Sequence, residues 1–430
     1  MKTQKNILNN MNKTTLNFID LFCGAGGFAK GFEMTGKFKC IGGIDNKPSA
    51  VATHKHNFKD SISICDDIRN VPPEEFNKLL KGQKVDIIIG GPPCPTFSTI
   101  GHAKIQSVYK EHADKDITND PRNDLFLDYF SYVDFFRPEI FVMENVPQFL
   151  TKYKGATFNA VKEIIKRDLP EYDLVEEVKV LNSVNYGVPQ NRRRMILVGF
   201  KKGVNFKYPE ITHWFKDGKF NIDPNNSEIN IENLKKHVSV KSAISDLPKI
   251  TDNWRISEVE YSKHENLDSF QIQMREKTAT TVKNNICRLS NERAKKVFSH
   301  MHQGCIYMDL SPDIRKILPF REDIFKDRLK RLVETNPSWT VLAHIGMDGY
   351  MYIHPTEDRT LSVREAARIQ SFPDDFEFIG NQQETYMQVG NAVPPLMAKR
   401  IAESVYESLK ESNLKKQPTK STKTKNLQSL

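Results

Sequence analysis

The feature that most constrains the fold of this chain is a stretch, Val85–Ser98, in which an apolar run ends abruptly in glycine and proline. The run Ile87-Ile88-Ile89 is typical of a buried strand. Two glycines end the strand, and prolines on both sides of Cys94 restrict the backbone where it leaves the sheet. Ligands of open α/β sheets bind at the carboxyl ends of the strands. The stretch therefore predicts an α/β fold that carries a thiol at its ligand-binding edge.

Cys94 taken alone does not distinguish a nucleophile from a structural residue. A free cysteine usually behaves as a small buried hydrophobe, and that interpretation also fits a cysteine in a loop. The residues at the other strand ends are needed to distinguish a nucleophilic cysteine from a structural one.

A glycine-rich loop follows the first predicted strand. Phe18–Cys23 leads into Gly24-Ala25-Gly26-Gly27-Phe28-Ala29 and then into a predicted helix that runs to Met34. The glycines match the pattern G-x-G-x-x-A between a strand and a helix. Glycine lets the backbone approach a ligand closely, and the N-terminus of the helix offers free N–H groups. The loop is therefore a candidate cofactor site.

Acidic residues follow the next two predicted strands. Cys40–Ile44 ends in Asp45, whose carboxylate suits the hydroxyl groups of a ribose. Ser61–Ile64 ends in Asp66-Asp67-Ile68, where a carboxylate can meet an adenine amino group. Single loop acids are usually solvated, but three strand ends together favour an adenosine-containing ligand. They do not separate a dinucleotide from S-adenosylmethionine.

A second candidate group for chemistry follows the fifth predicted strand. That strand, Glu139–Met143, lies between predicted helices at Asn123–Phe136 and Asn159–Arg167. It ends in Glu144, at the same predicted sheet edge as Cys94.

Three consecutive arginines lie between two further predicted strands, Leu174–Leu181 and Met195–Phe200. Alternation along an extended chain sends Arg192 and Arg194 to one face and Arg193 to the other. Two guanidinium groups directed into a site can hold a base oxygen and a phosphate. An exposed basic turn is the simpler interpretation of the same residues.

The alternation of strands and helices stops in Lys201–His354, whose length suits a second domain of mixed structure. A helix is then predicted over Arg359–Ile369 with Ser362 as its N-cap. Another helix starts at Gln388–Pro395 and runs to Leu409. The tail beyond it is rich in Lys, Ser and Thr and is predicted to be disordered.

Composition narrows the partners and the compartment. The net charge of the 430-residue chain is +9 and its pI is about 9.0, which suits a polyanionic partner. Its six cysteines include no C-x-x-C pair, so we expect no zinc site and no disulfide framework. The N-terminus lacks the apolar core of a signal peptide, and no apolar run reaches membrane-spanning length. We therefore expect a cytoplasmic protein without a metal or a membrane anchor.

Taken together, these pieces resemble the bacterial DNA (cytosine-5)-methyltransferases of restriction–modification systems. The matching motifs, in the order in which the family has them, are Asp20-Leu21-Phe22-Cys23-Gly24-Ala25-Gly26-Gly27, Asp45, Asp67-Ile68, Gly91-Pro92-Pro93-Cys94, Glu144-Asn145-Val146, Gln190-Asn191-Arg192-Arg193-Arg194, Arg364-Glu365-Ala366-Ala367-Arg368 and Gly390-Asn391-Ala392-Val393. Pro95 departs from the pattern, since many members have Gln there. Residues Ile100–Asn119 form a longer stretch than in compact members, and they fit either a mobile loop over the substrate or a solvated insertion.

The resemblance implies a doubly wound, Rossmann-like α/β domain that binds S-adenosylmethionine, made of residues 1–204 and 380–412. It also implies a smaller, mixed target-recognition domain over 205–379 and a basic, disordered tail over 413–430. Duplex DNA would lie between the two domains. The protein would be a monomer and would act beside a cognate restriction endonuclease.

The resemblance also assigns roles to residues. Cys94 would add to carbon 6 of cytosine, Glu144 would bind ring nitrogen 3, Arg194 would bind the base oxygen, and Arg192 would help to orient the site. The residues that would bind the cofactor are Phe22, Gly24, Gly26, Gly27, Asp45, Asp67, Ile68, Gly91, Pro93, Leu125, Asn391 and Ala392. Phe22 would contact the adenosine, Asp45 the ribose, and Asp67 with Ile68 the adenine.

Two other functions share parts of this pattern. A tRNA cytosine-5 methyltransferase has a similar catalytic domain, but its relatives typically carry Cys-Phe-Thr, and no Cys here is followed by Phe-Thr. A catalytically silent DNA-binding regulator would not need Cys94, Glu144 and Arg194 together. A nicotinamide oxidoreductase would account only for the first three strands.

Overall fold

The structure is a computed structural model that describes residues 15–93, 125–151, 155–215, 233–250, 256–262, 266–275, 278–320 and 329–415. Cys94 and the stretch Ile100–Asn119 lie outside the described residues, as does the tail beyond residue 415.

A central sheet organises the described residues. Its strands are β1 (Leu16–Leu21), β2 (Phe38–Asp45), β3 (Ile62–Cys65), β4 (Ile87–Gly90), β5 (Ile140–Asn145), β6 (Tyr172–Leu174), β7 (Lys179–Asn182) and, after the short strand β8 (Gln190–Asn191), β9 (Arg193–Lys201). They pair in the order β3-β2-β1-β4-β5-β9-β6, and β7 also pairs with β9. The first five strands in this order are parallel, whereas β9 runs antiparallel to β5, β6 and β7.

This order places the predicted site residues at one edge of the sheet. The order of the strands reverses between β1 and β4, and crevices for ligands form at such a point. The glycine loop follows β1, and the chain toward Cys94 follows β4. Because β9 is antiparallel to β5, the start of β9 lies at the end of β5, with Asn145 opposite Met195.

Helices cover both faces of the sheet. They are α1 (Gly27–Glu33), α2 (Pro48–Asn57), α3 (Pro73–Leu79), α4 (Leu125–Phe136), α5 (Gln148–Thr151) and α6 (Ala156–Asp168). Along β4, Ile87 and Ile89 face one hydrophobic core and Ile88 faces the other. The strand is thus buried on both faces, which explains its unbroken run of isoleucines. The predicted doubly wound α/β fold is confirmed.

One predicted strand proved to be two. The stretch Leu174–Leu181 holds the end of β6 and most of β7, which pair with different parts of β9. Glu176 and Glu177 lie exposed between them. Apolar alternation on either side of these acids gave no signal for the interruption.

The second half of the described chain consists of short elements. They are β10 (His213–Trp214), β11 (Lys235–Lys236), α7 (Val240–Ile244), β12 (Val259–Glu260), α8 (Ser269–Met274), β13 (Thr281–Val282), α9 (Glu292–Phe298), α10 (Pro312–Arg315) and β14 (Ser338–Trp339). A separate small core forms around Phe298, Tyr307 and Ile353. These elements fit the mixed structure that the sequence predicts for this region.

Three helices close the fold: α11 (Val363–Ile369), α12 (Gln382–Asn391) and α13 (Pro395–Lys415). Ser362 caps α11 as expected, and Glu365 completes a capping box. The predicted last helix begins at Pro395 and ends at Lys415, six residues beyond the predicted end at Leu409, so the first residues of the predicted tail are helical. Gln388 belongs to α12, a separate helix that the sequence analysis did not predict.

Residues around α11 pack on the larger domain. Phe376 lies against Phe58, with ring centroids 6.3 Å apart, and Asn57 donates to the carbonyl of Glu377 at 2.8 Å. The predicted division at residue 380 remains a prediction. These contacts favour a return of the chain to the larger domain by residue 376.

The unfolding free energy should fall as pH is lowered from about 6.5 toward 4 because of His54. This histidine of α2 is fully buried and burial lowers its pKa from 6.5 to about 4. Between pH 6.5 and 4, His54 is protonated in the unfolded chain but neutral in the folded protein. The unfolded state therefore binds one more proton, and the stability present above pH 6.5 is lost as the pH falls. The loss is on the order of 3 kcal/mol, measurable by urea unfolding at each pH.

The matched control is His56, an exposed histidine on the same helix that pairs with Glu377. His54→Asn should reduce the slope of the unfolding free energy against pH, whatever its effect at neutral pH, whereas His56→Asn should retain the full slope. The slope that remains in His54→Asn comes from groups such as His213 and His354, whose pKa values burial also lowers. An unchanged slope in His54→Asn would show that other groups cause the decline.

Candidate active site

The glycine loop after β1 is held by the acid at the end of β2. The N–H of Gly24 donates to Asp45 Oδ2 at 3.0 Å, and that of Lys47 donates to Oδ1 at 2.9 Å. Burial raises the pKa of Asp45, and these amide donors oppose the rise. Asp45 therefore fixes the loop, while its position at the end of the strand leaves it at the predicted ligand edge.

The loop has open space on one side and tight packing on the other. Phe22 and Gly24 both have positive φ, 60° and 53°, which turns the chain sharply after the strand. A Cβ built on Gly24 would meet no atom within 4 Å, whereas one on Gly27 would lie 2.5 Å from the carbonyl oxygen of Val393. The open side of Gly24 beside the half-buried Asp45 carboxylate leaves room for a ligand, and Gly27 lets α1 pack against the segment after Asn391.

Asp67 has a partner within its own turn. Its carboxylate caps the turn Ile68–Asn70 by accepting from the N–H of Arg69 at 3.0 Å. The guanidinium of Arg69 also binds both carboxylate oxygens, and this contact holds the pKa of Asp67 below its usual value. The side chain of Ile68 is buried in the core. The hydrogen bonds from Arg69 thus fix the orientation of the Asp67 carboxylate just after the end of β3.

The ends of β4 and β5 are joined at the candidate catalytic centre. A Cβ on Gly91 would lie 3.0 Å from Glu144 Oε2, so the chain leaving β4 passes directly over this carboxylate. Asn145 donates its Nδ2 to the carbonyl of Pro92 at 2.8 Å. Cys94 follows two residues later, outside the described residues. The described backbone therefore enters the Cys94 segment beside Glu144.

Glu144 and Arg194 form an ion pair. Arg194 Nε lies 2.7 Å from Glu144 Oε1, and both side chains are only 13 % exposed. The pairing of β5 with β9 sets this contact, since Glu144 lies opposite Ile196. Arg193 is exposed, as the predicted alternation requires. A carboxylate and a guanidinium are thus held together at the edge of the sheet.

Arg192 is buried and directed toward the second half of the chain. Its Nη1 donates to the carbonyl of Val341 at 2.8 Å, and its Nε has no partner among the described residues. Burial, together with repulsion from Arg194, lowers its pKa to about 9. The two arginines thus have different partners: Arg194 meets Glu144, whereas Arg192 binds the backbone at Val341.

The remaining predicted cofactor residues lie near these elements. Leu125 is buried at the start of α4, Asn391 is exposed at the end of α12, and Ala392 is half-buried after it. Pro93 is exposed at the last described position before Cys94. Gly26, with a φ of 95°, precedes α1 and packs against Phe58.

Sequence analysis assigned no role to Asp20, a buried acid beneath the glycine loop. Its Oδ2 has no hydrogen-bond partner among the described residues. Burial raises the pKa of Asp20 well above its usual value, and the charge of Asp45 adds to the effect. An acid inside the apolar run of β1 was the available signal, because a charged group in a buried strand requires an explanation.

The described residues contain no group of three or more His, Cys, Asp or Glu side chains that could hold a metal ion. Within the same ranges, every helix is too short or too polar to cross a membrane.

Comparison with known proteins gives consistent matches. Residues 16–407 match the model of the family described as C-5 cytosine-specific DNA methylase. A putative type II methyltransferase of Oceanobacillus iheyensis is 33 % identical, over 91 % of this chain and 95 % of its own length. A type II methyltransferase of Desulfomicrobium norvegicum is 32 % identical, over 93 % of this chain and 90 % of its own.

A solved structure shares the fold. It is titled as a putative DNA modification methyltransferase encoded within a prophage of E. coli, and it is 23 % identical in sequence. The two superpose with a TM-score of 0.67, over 92 % of this chain and all of the other.

Proposed function

Because this chain belongs to the family of C-5 cytosine-specific DNA methylases, we propose that it methylates carbon 5 of a flipped-out cytosine within a specific duplex sequence, through a covalent adduct between Cys94 and carbon 6. DNA cytosine-5 methylation is the activity of the family. The route through Cys94, the roles of single residues and the biological context are the proposal.

The ion pair of Glu144 and Arg194 beside the Gly91-Pro92 turn is the observation that supports this route most directly. Its two members are 2.7 Å apart, and the turn leads within two residues to a cysteine. A nucleophile, a proton-sharing carboxylate and a fixed cation are what addition to a cytosine ring requires.

The chemistry balances with these groups. Carbon 5 of cytosine is a poor nucleophile until the Cys94 thiolate adds to carbon 6, while Glu144 shares a proton with ring nitrogen 3 and Arg194 binds the oxygen on carbon 2. The electron pair released toward carbon 5 then forms the bond to the methyl group. Finally a base takes the proton from carbon 5, and the bond between carbon 6 and Cys94 breaks. S-adenosylmethionine, when bound, would supply the electrophilic methyl group, and the bond from that methyl group to the sulfonium sulfur would break with S-adenosylhomocysteine as the leaving group.

We assign cofactor binding to the edge formed by β1, β2, β3 and the end of α12. Asp45 would accept from the ribose hydroxyls, and the open face of Gly24 would receive the methionine end. The other residues assigned to this site are Phe22, Gly26, Gly27, Asp67, Ile68, Gly91, Pro93, Leu125, Asn391 and Ala392.

Asp45→Ala should raise the dissociation constant of S-adenosylmethionine by about 10- to 100-fold, the usual range for a charge-assisted hydrogen bond. The variant loses both the ribose acceptor and the acceptor that holds the N–H of Gly24. Calorimetry with the full chain measures the constant directly.

Two controls accompany Asp45→Ala. Asp60→Ala removes an exposed acid paired with Lys39 and should change the constant by less than about twofold. Cys94→Ala should bind the cofactor nearly as well as the wild type. Equal loss in Asp45→Ala and Cys94→Ala would contradict the separation of cofactor binding from chemistry.

DNA would bind between the larger domain and the target-recognition region, which we propose to span residues 205–375 of the predicted range 205–379. The cytosine must leave the helix, because its carbon 5 is inaccessible to a thiol inside the stack, and flipping costs about a few kcal/mol. The net charge of +9 suits contacts to phosphates. We further propose a cytoplasmic monomer that protects DNA from a cognate restriction endonuclease.

Bisulfite sequencing of DNA from cells that express the protein tests the activity and reads the target sequence. Full methylation of one cytosine within a recurring sequence is expected. Unmethylated DNA together with tight DNA binding would support a silent regulator. Methylated tRNA with unmethylated DNA would support the tRNA enzyme.

A further inference from the structure

Two buried glutamines, Gln190 and Gln370, are bonded to each other across the core. Gln190 Nε2 donates to Gln370 Oε1 at 2.7 Å, and neither side chain is exposed to solvent. Gln190 is the first residue of β8, and Gln370 follows the last residue of α11. No step of the proposed chemistry uses either side chain.

Each glutamine also holds a backbone segment with its other amide atom. Gln190 Oε1 accepts from the N–H of Val341 at 2.8 Å. Gln370 Nε2 donates to the carbonyl of Val389 at 2.7 Å and lies 3.5 Å from that of Ala392. An unbroken chain of hydrogen bonds therefore runs from Val341 to the end of α12.

The two ends of this series of hydrogen bonds lie in different parts of the proposed site. Val341 accepts from Arg192 and follows β14, which pairs in parallel with β8 ahead of the arginines. The other end, Val389–Ala392, contains Asn391, assigned above to the cofactor.

The two ends also touch directly. A Cβ on Gly390 would lie 2.4 Å from the backbone of Leu342 and Ala343. Only glycine allows this approach, so the segment that supports Arg192 and the turn at the cofactor are one packed unit.

We propose that Gln190 and Gln370 are positioning residues that fix the cofactor turn relative to Arg192 and, two residues further on, the base-binding Arg194, so that DNA and cofactor strengthen each other's binding. The inference rests on the proposed function, since it takes Arg194 as the residue that binds the base and Asn391 as part of the cofactor site. It names no further catalytic residue.

A glutamine pair suits this task because each amide both donates and accepts. A buried hydrogen bond between amide groups has a fixed direction and length, whereas apolar contacts would let the two segments slide past each other. Loss of one glutamine leaves its backbone partner buried without a bond, and that partner must move to satisfy it.

The test uses the full chain and the duplex sequence found by bisulfite sequencing. Calorimetry gives the dissociation constant of S-adenosylhomocysteine with and without this duplex, and their ratio is the coupling. The wild type should bind about fivefold or more tightly with DNA present. Gln370→Met, which keeps the side-chain length but no hydrogen bond, should bring the ratio close to one and lower kcat.

Gln388→Met is the matched control. Gln388 is a buried glutamine of α12, close to Asn391. Its side-chain amide accepts a hydrogen bond from the hydroxyl of Thr53 and donates one to the carbonyl of Ile379. It should lower the melting temperature about as much as Gln370→Met does, yet keep the coupling ratio. Gln190→Met serves as a second variant if Gln370→Met does not fold, and it should lose the coupling as well.

A coupling ratio in Gln370→Met and Gln190→Met within twofold of the wild type would overturn the inference. So would equal loss in Gln388→Met, or a wild-type ratio close to one. A wild type that binds S-adenosylhomocysteine but leaves DNA unmethylated would instead count against the proposed function, which keeps the two failures distinct.

Discussion

The wild-type protein, incubated with S-adenosylmethionine and a duplex carrying 5-fluorocytosine at the target position, is expected to become covalently joined to the DNA. Addition of Cys94 to carbon 6 and transfer of the methyl group can proceed on this base. The final step cannot, because carbon 5 then carries fluorine in place of a proton, and fluorine does not leave as a cation. The joined complex should survive denaturing electrophoresis and should map to the peptide containing Pro93-Cys94-Pro95.

Cys94→Ser should form almost none of this complex and should lower the methylation rate by about 10³-fold or more, in the range seen when a nucleophile is lost. A serine hydroxyl is scarcely ionised near neutral pH, whereas a thiol supplies the reactive thiolate. Serine would need a base to remove its proton, and the carboxylate beside this turn, Glu144, is already paired with Arg194.

Cys65→Ser is the control for nonspecific trapping, since Cys65 is an exposed free cysteine at the end of β3. It should trap DNA as the wild type does. Omission of S-adenosylmethionine should prevent a stable complex. An active wild type that never traps on this substrate, or traps through another residue, would remove Cys94 from the mechanism.

The sheet edge could be predicted from sequence because its signals are local. Ile87-Ile88-Ile89 is apolar at every position because both faces of β4 are covered, and the polar residue after each strand stands where ligands gather. The register of β9 on β5, which joins Arg194 to Glu144, required only alternation and the right neighbouring strand.

The supporting contacts could not be predicted, because they join residues far apart in the chain. Gln190 meets Gln370 across 180 positions, and nothing local to either glutamine indicates a buried partner. The pairing of Asp67 with Arg69 is local, but it depends on the geometry of a turn that the amino-acid sequence alone does not specify.

The helix α12 shows a signal that was present and overlooked. Its residues are mostly polar, so apolar periodicity is weak. Asn381 and Glu384 nevertheless form a capping box, three positions apart, which is a recognised start of a helix. This cap predicts a separate helix from Gln382, and Pro394-Pro395 predicts its end a few residues earlier, near Asn391.

Glu144 and Arg194 should act as one unit in catalysis. Glu144→Gln keeps the shape of the side chain but cannot share a proton with ring nitrogen 3, and it should lower kcat/KM by about 10³-fold. Arg194→Ala removes the group 2.7 Å from Glu144 Oε1 and should cost about 10²- to 10³-fold. Arg193→Ala, a change at the exposed neighbour, should leave the rate within about threefold.

The double variant Glu144→Gln with Arg194→Ala distinguishes a joint role from two separate roles. If Arg194 holds the carboxylate as well as the base oxygen, part of its effect disappears once the carboxylate is gone, and the loss in the double variant should fall at least about tenfold short of the product of the two single losses. Independent roles would instead multiply to about 10⁵-fold or more. Single-turnover rates on the target duplex, with cofactor binding checked by calorimetry in each variant, measure the cycle. Multiplied losses would show that Arg194 binds the base without orienting Glu144.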